Sequence, residues 1–264
     1  MARVARWPWW LAGLAILGAV ALVFFARPAT VHVHCGKGFV AEDPRCTPLG
    51  CPAPFVESGG KCVAHLRVAV PQTRLAVGPA DWEAEGRVTS RTIEAGPFWI
   101  DAFEASIGAL HGYDVPDALR AASGLTRGEA MSYCGQQGGR LPSEDEWTVA
   151  AAGLGGHRYP WGETGAVCRR AAFGLAQGPC SFQGHGPDTV GAHVDGDTPH
   201  GIHDLAGNVA EWVLPSPDAP RPGIAKGGSW RSELAAELRV WARLELDPDA
   251  HDDRVGVRCA YDSP

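Results

Sequence analysis

The sequence lacks an excess of positive charge, because its 23 lysines and arginines face 30 aspartates and glutamates, a formal net charge of −7. A protein without a basic stripe cannot replace the counterions of a nucleic-acid backbone, so we expect no nucleic-acid partner. Leu- and Ala-rich helical runs are scarce between residues 60 and 264, and the chain shows neither an internal repeat nor a coiled-coil pattern. These absences predict a domain in which turns and irregular loops form much of the chain.

The sequence does contain enough apolar residues for a full core. Hydrophobic residues make up 45% of the 264 positions, a size that suits one large domain with appendages. Glycine and proline are abundant, at 34 and 21 residues, and ten tryptophans are many for this length. Side chains of that size can anchor a loop-rich core or line a ligand groove.

An apolar run of nineteen residues, from Trp7 to Phe25, follows two arginines near the start of the sequence. This length is just enough to cross a hydrocarbon layer of about 30 Å, and it is slightly long for the apolar part of a cleaved signal peptide. We therefore expect residues 1–28 to form a signal anchor, a transmembrane helix with its N-terminus in the cytoplasm and the rest of the chain exported. A signal peptide cleaved near Ala26, which would give a secreted protein, is the alternative.

The eight cysteines are an even number, which in an exported chain is typical of disulfide bonds. Four of them crowd into residues 29–66, which we interpret as a small cysteine-rich stalk with its pairing open: Cys35, Cys46, Cys51 and Cys62. Zinc binding by these four is the alternative, but their spacing lacks a Cys-x-x-Cys pair and exported compartments are oxidising. The main domain, residues 67–264, holds the other four. Of these, Cys168 and Cys180 lie twelve residues apart, and we expect them to form a disulfide that closes a loop.

Local signals predict short helices and strands in the main domain. Two capping boxes, Thr126 with Glu129 and Ser143 with Glu146, indicate helix N-termini. From residue 153 to residue 200 no periodicity survives, and an irregular stretch of this length is expected to be functional or pinned by a disulfide or ions. Strands are predicted over four segments: residues 68–78 (a strand pair), 97–104, 237–243 and 254–260.

Four motifs follow one another in the main domain: Gly139-Arg-Leu-Pro-Ser-Glu-Asp-Glu-Trp147, Tyr159-Pro-Trp-Gly162, Gly201-Ile-His-Asp-Leu-Ala-Gly-Asn-Val-Ala-Glu-Trp212 and Lys226-Gly-Gly-Ser-Trp230. Together they resemble the signature of the formylglycine-generating enzyme or sulfatase-modifying factor family, and they occur in that family's order. The resemblance extends over about residues 68–262. It implies an α+β fold, irregular, loop-rich and C-type-lectin-like, with short helices and antiparallel strands, behind the predicted transmembrane helix.

The resemblance also implies a disulfide and a calcium site. The family joins a helix cysteine to the cysteine of a C-terminal Gly-x-Arg-Cys, and these are Cys134 and Cys259 in this chain. The family also binds calcium in its long loops, and the matching positions supply two carboxylates and two carbonyls, those of Asp204, Glu211, Gly207 and Val209. Such hard oxygen donors are what calcium requires. The alternative is that both carboxylates simply cap N–H groups of the loop.

Family members that make formylglycine hold copper between two cysteines that follow the Gly-Gly-Ser motif. Counted without gaps, those two places hold Ser232 and Glu237 here, and no cysteine lies between Cys180 and Cys259. A cuprous ion requires soft thiolates, which a hydroxyl and a carboxylate do not replace. We therefore expect neither bound copper nor the cysteine-oxidising chemistry of the family. A second departure lies nearby, since Ala210 stands where the family usually has a tryptophan in its substrate groove.

These observations predict an exported, membrane-anchored binding or accessory protein, whose groove at Ser229 and Trp230 takes a peptide, protein or glycan of the cell envelope. The alternative is an oxidoreductase of the same family, either a formylglycine generator or a metal-dependent oxidase or hydroxylase. An iron or zinc site with two histidines and one carboxylate would draw on loop residues: His185, His193, His200, His203, Asp195 and Asp204. Their spacing matches no motif, so we expect no such site. Acid–base catalysis by the carboxylates of residues 143–146 is a further alternative, although a helix N-terminus explains them.

Overall fold

The structure is a computed structural model that describes residues 67–78, 90–113, 115–181, 184–214 and 222–263, together with the strand backbones 39–42, 45–48, 56–58 and 61–63. The chain forms two compact units, Met1–Pro52 and Ala53–Pro264. In the first unit, β1 (Phe39–Glu42) and β2 (Arg45–Pro48) pair as an antiparallel hairpin. The predicted signal anchor and the cysteine pairing of the stalk lie outside the described residues. Within those residues, no helix combines the length and the hydropathy needed to cross a bilayer.

In the second unit, the described strands form two hairpins and two larger sheets. Its strands in chain order are β3 (Val56–Ser58), β4 (Lys61–Val63), β5 (Arg67–Val70), β6 (Thr73–Val77), β7 (Arg91–Ala95), β8 (Phe98–Asp101), β9 (Ala210–Val213), β10 (Gly223–Lys226), β11 (Leu244–Leu246), β12 (Val255–Gly256) and β13 (Ala260–Tyr261). The hairpins are β3–β4 and β6–β7, and the larger sheets have the orders β13-β8-β5 and β11-β10-β9-β12. Every pair is antiparallel except β12 with β9, which is parallel and departs from the predicted arrangement.

The strand predictions are confirmed in part. The predicted pair at residues 68–78 forms two strands, but β5 and β6 join different partners, β8 and β7. The strand predicted over 237–243 is wrong, because Ala235–Leu238 forms a 3₁₀ helix in which the Glu237 carboxylate accepts the Leu234 N–H at 3.0 Å. This local bond satisfies the backbone within a turn, an option that alternating hydrophobicity does not reveal.

The described residues of the second unit form three α-helices: α1 (Ile107–His111), α2 (Arg127–Gln136) and α3 (Glu144–Ala152). Both predicted capping boxes are confirmed. At α2 the Glu129 N–H donates to Thr126 Oγ1 at 3.2 Å, while the Thr126 N–H donates to the Glu129 carboxylate at 2.8 Å. At α3 the corresponding bonds between Ser143 and Glu146 measure 3.1 and 2.7 Å. Each box satisfies two otherwise orphaned donors, which fixes where the helix begins.

Helix α3 is the most deeply buried of the three helices and packs against the β6–β7 hairpin. Trp147 on this helix is 0% exposed and shares a core with Ile100 of β8 and Val213 of β9. The described part of the chain between residues 153 and 200 is irregular apart from a 3₁₀ turn at Val194–Gly196, as the sequence predicts. The described domain is therefore a mixed α+β fold with a few short helices, small sheets and long loops.

Candidate functional site

A cavity of about 740 Å³ lies beside the Gly-Gly-Ser turn that follows β10. Its lining comes from the turn, the 3₁₀ helix after it and the segment that leads into β11, together with residues of β6, β7 and α3. Its polar lining includes Arg91, Glu144, Lys226, Ser229, Ser232 and Glu237. The cavity therefore contains both positions that the sequence comparison equates with the copper ligands.

Two glycines shape the turn at the cavity wall. Gly227 and Gly228 have φ angles of +97° and +71°, in the left-handed region that side chains rarely adopt. A Cβ atom on Gly228 would lie 2.7 Å from Leu238 Cδ2 and 2.9 Å from the Glu237 carbonyl oxygen. Only glycine at position 228 lets the turn pack this closely against the 3₁₀ helix.

Ser232 and Glu237 are both held by backbone N–H groups. The Ser229 N–H donates to Ser232 Oγ at 3.1 Å, and the Leu234 N–H donates to Glu237 Oε2 at 3.0 Å. Neither side chain is a thiol, and oxygen donors of this kind suit hard cations rather than a cuprous ion. In this chain the two residues serve as local caps of a turn and a 3₁₀ helix.

The predicted groove pair, Ser229 and Trp230, is divided between the cavity and the core. Ser229 lines the cavity, and its Oγ accepts the Arg231 N–H at 3.2 Å. Trp230 is 6% exposed, donates its indole N–H to the Asp253 carbonyl at 3.1 Å and packs in a core cluster with Phe173. The tryptophan therefore supports the wall from behind, and only the serine faces the cavity.

Lys226, the last residue of β10, is 1% exposed and lines the cavity. Its ammonium lies 3.7 Å from Glu144 Oε1, and Glu144 also accepts two hydrogen bonds from Arg243, the one from Nε at 2.6 Å. Burial lowers the pKa of Lys226 to about 8, because the charged form loses hydration. The Glu144 carboxylate at the start of α3 therefore pairs with cations of the cavity. The sequence had predicted only that it favours the N-terminus of a helix.

Behind the cavity lies a buried ionic cluster. Arg258 donates two hydrogen bonds to Glu211 Oε1, from Nε at 2.9 Å and from Nη2 at 2.7 Å, and the Trp147 indole donates to Glu211 Oε2 at 2.6 Å. Two more carboxylates, Glu104 and Asp204, interact electrostatically with Arg258. Burial raises the pKa of Glu104 well above its ordinary value, and the charges of Asp204 and Glu211 raise it further. Three buried carboxylates thus share one guanidinium.

The four positions predicted to bind calcium belong to this cluster and to the loop before β9. Asp204 is 5% exposed, has a φ of +55°, and accepts the Gly191 N–H. Gly207 has a φ of +82°, and a Cβ atom there would lie 2.5 Å from the Ala172 carbonyl oxygen. The donor set fits calcium in chemistry, since it combines carboxylates with carbonyls in a tightly turned loop, although Glu211 would share its oxygens with Arg258 and Trp147.

The loop histidines do not converge. His193 Nε2 lies 3.0 Å from Asp188 Oδ2, and His203 Nδ1 lies 2.8 Å from Asp197 Oδ2. The ring of His203 also stacks on Phe103, with centroids 4.3 Å apart. Across the part of the chain that is described, no group of three or more His, Cys, Asp or Glu side chains could hold a metal ion. The two-histidine iron or zinc alternative therefore has no support from these positions.

Both disulfides predicted for the main domain are present, Cys134–Cys259 and Cys168–Cys180. The first joins α2 to the segment before β13 across a sequence separation of 125, and both of its cysteines are 0% exposed. The second closes a separation of 12 in the long loop. Every cysteine in residues 67–264 is thus bonded, which leaves no thiol in this domain.

Fold and site together define a class: a disulfide-linked, loop-rich α+β domain that builds a polar cavity on a Gly-Gly-Ser turn. The family model for the sulfatase-modifying factor enzyme 1-like domain matches residues 122–263. The chain belongs to this family, which confirms the resemblance read from the four motifs.

Two relatives have contrasting names, one an inactive enzyme and the other a formylglycine-generating enzyme. The chain is 34% identical over 142 residues to the inactive C-alpha-formylglycine-generating enzyme 2 of Bos taurus, a match that covers 50% of this chain and 47% of the relative. It is 33% identical over 160 residues to the formylglycine-generating enzyme of Thermomonospora curvata, covering 51% of this chain and 53% of the relative. The chain thus spans about half the length of the curated relatives it matches.

Solved structures share the fold at low identity. Treponema denticola variable protein 1 superposes with a TM-score of 0.61 at 17% identity, covering 74% of this chain and 94% of that chain. PvdO from Pseudomonas aeruginosa gives a TM-score of 0.59 at 19% identity, again covering 74% and 94%. At these identities the likeness extends to the fold alone.

Proposed function

We propose that this protein is an exported binding or accessory member of the family that does not convert cysteine to formylglycine. The observation that carries the proposal is the occupancy of one cavity by Ser232 and Glu237, at the positions equated with the two copper-binding cysteines. A hydroxyl and a carboxylate are poor ligands for a cuprous ion. The four cysteines of the main domain are all in disulfides, so no thiol of this domain can substitute.

Similarity alone does not separate the two kinds of relative, because an inactive enzyme and a formylglycine-generating enzyme match at nearly the same identity, 34% and 33%. Function is decided by the site rather than by the fold. The proposal therefore rests on the two cavity positions, and the oxidoreductase alternative becomes one outcome of its test.

The test is mass spectrometry of a Cys-x-Pro-x-Arg peptide that has been incubated with the exported part of the protein, oxygen, a thiol reductant and copper. We expect no aldehyde product above background, whereas a formylglycine-generating relative assayed in parallel converts the cysteine. Conversion by this protein at a rate comparable to that relative would overturn the proposal and assign an unrecognised thiol or metal site to it.

Calcium is part of the proposal as a structural ion held by Asp204, Gly207, Val209 and Glu211. The support is electrostatic: Glu104, Asp204 and Glu211 are buried with Arg258 as their shared cation, so three carboxyl groups surround one guanidinium. A cation bound nearby would stabilise the ionised carboxylates, which burial otherwise disfavours.

Calcium should raise the melting temperature of the wild-type protein, because a ligand that binds only the folded state stabilises it by about 2.7 kcal/mol at one hundred times its Kd. For a domain of this size that corresponds to roughly 5–10 °C. We expect Asp204→Ala to lose most of the difference between calcium and chelator, measured by calorimetry. Asp195→Ala, a half-exposed loop aspartate paired with Arg169, is the matched control and should keep it. Equal lowering of the melting temperature by Asp204→Ala in calcium and in chelator would argue against the site.

The location and partner remain proposals of the same kind. Two disulfides in the main domain support folding in an oxidising, exported compartment. The apolar run before residue 28 supports a single membrane anchor, or secretion if it is cleaved. We therefore propose that the cavity faces the cell envelope, where a peptide, a protein or a glycan would be its partner.

A further inference from the structure

The cavity contains an unusual amount of positive charge for a protein of formal net charge −7. Six of its lining side chains are cationic, namely Arg91, Lys226, Arg231, Arg239, Arg243 and Arg254. Among the described lining residues, two are carboxylates, Glu144 and Glu237. Neighbouring carboxylates offset part of this charge, since Asp145, Asp252 and Asp253 pair with three of the arginines and Glu245 interacts electrostatically with Arg243.

Three of the cations surround Glu144. This one carboxylate accepts two hydrogen bonds from Arg243 and lies 3.7 Å from both Arg91 Nη2 and Lys226 Nζ. An ammonium has three donors, yet Lys226 makes no hydrogen bond within the described residues and has only this long ion pair and the face of Trp147 at 5.6 Å. A buried cation in that situation lacks the oxygen partners that normally stabilise it.

Two hydroxyls complete the donor set. Ser229 Oγ and Ser232 Oγ each accept a backbone N–H, at 3.2 and 3.1 Å. A hydroxyl that accepts in this way still has its own proton to donate, and neither proton has an acceptor in the described part of the chain. Apolar walls from Val77, Trp241 and Leu244 lie beside these donors. A cavity of about 740 Å³ is within the usual range for a bound small molecule or short peptide segment.

We propose that this cavity binds an acidic peptide segment, with a carboxylate of the ligand received by Lys226, Arg243 and the hydroxyls of Ser229 and Ser232. The inference rests on the proposed function, since it names the ligand class of the same cavity. The carboxylate supplies the oxygen partners that Lys226 lacks, and the apolar walls contact the methylene groups and backbone of the peptide. Charge-assisted hydrogen bonds of this kind are stronger than neutral ones and select for anions.

The experiment is isothermal titration of the exported part of the protein with an acetylated, amidated hexaglutamate peptide, and with hexaglutamine as the neutral control. At pH 7 we expect saturable binding of hexaglutamate and no saturable binding of hexaglutamine. Lys226→Met should weaken binding at pH 7 by tenfold or more. Lys226→Arg, which keeps the charge, should weaken binding less than Lys226→Met.

The control variant is Arg74→Gln on β6, which removes an exposed arginine from the same hairpin as Arg91 but outside the cavity lining. It should change affinity less than twofold, whereas Arg91→Gln should weaken binding several-fold. Equal binding of hexaglutamine, equal loss in both arginine variants, or inorganic phosphate binding as tightly as the peptide would overturn the assignment. The peptide-oxidation assay uses no acidic peptide, so failure of this inference is distinguishable from failure of the proposed function.

Discussion

Replacing Arg258 with glutamine is expected to destabilise the domain by about 4 kcal/mol at pH 7, since removing one partner of a buried ion pair leaves an uncompensated charge. Arg258 is 0% exposed and Glu211 is 1% exposed, so solvent cannot take the place of the lost guanidinium. The same guanidinium donates to the carbonyls of Asp101 and His203, at 3.0 and 2.7 Å, and those acceptors would lose their partner too. Urea denaturation followed by circular dichroism measures the change.

The cost of Arg258→Gln should be larger at pH 7 than at pH 5. Arg258 lowers the pKa values of Glu104 and Asp204, against the burial that raises both. A carboxyl whose folded-state pKa is raised contributes stability at low pH, which is lost as the pH rises through that pKa. Without Arg258 both pKa values rise further. The folded variant then holds more protons than the wild type between pH 5 and pH 7, so the variant loses more stability than the wild type as the pH rises over this range.

Two further variants keep this prediction decisive. Arg254→Gln removes a partly exposed arginine that pairs with Asp252, and such pairs contribute about 0–1 kcal/mol. Arg258→Lys keeps a charge but loses the two-pronged bond to Glu211, so it should cost less than the glutamine variant. A similar small cost for Arg258→Gln and Arg254→Gln, with no dependence on pH, would show that the buried cluster does not stabilise the fold.

Removing the Cys134–Cys259 disulfide, by changing both cysteines to alanine, is expected to cost about 5 kcal/mol. The bond closes a sequence separation of 125, and the loss of unfolded-chain entropy grows with the logarithm of the loop length. The matched control is the Cys168–Cys180 pair, whose separation of 12 corresponds to about 3 kcal/mol in the same model.

Each double variant removes one disulfide and replaces two cysteines with alanines, so the two variants differ in position and loop length but not in the chemistry of the substitution. Denaturant midpoints measured at pH 7 without reductant give the two costs. If Cys168–Cys180 proved the more stabilising bond, the entropy model would not describe this domain. The result would also mean that packing around Cys134 and Cys259, which are both fully buried, contributes little to stability.

The sequence predicted local features well where the signal was short-range. The capping boxes at Thr126 and Ser143 depend on residues three positions apart, and both appear in the structure with the expected bonds. The strand predicted over 237–243 was wrong, because alternating hydrophobicity also arises when a 3₁₀ turn buries Leu238 and Val240. The parallel pairing of β12 with β9 depends on residues some distance apart in the chain, which a local pattern does not encode.

The candidate site shows the same division. Counting residues from the Gly-Gly-Ser motif was enough to select Ser232 and Glu237. Both line one cavity, because the turn and the 3₁₀ helix are adjacent in sequence. The burial of Lys226 and its approach to Glu144 were missed, since 82 positions separate the two residues (226 − 144) and only the folded chain brings β10 against α3. Trp230 was expected in the groove, but an indole N–H bonded to the Asp253 carbonyl turns it into the core. Whether a tryptophan lines a groove or packs in the core depends on where its hydrogen-bond acceptor lies in the folded chain, and the residue type does not reveal that position.

The sheet β13-β8-β5 also has a consequence for the order in which the chain is made. Strand β8 lies between β5 and β13, and Tyr261 of β13 donates to the Asp101 carboxylate across a sequence separation of 160. At the usual speed of synthesis this interval takes about 10 to 30 s, during which one edge of β8 has no neighbour. An open strand edge is a template for pairing with other chains, so the newly made protein needs protection until β13 emerges.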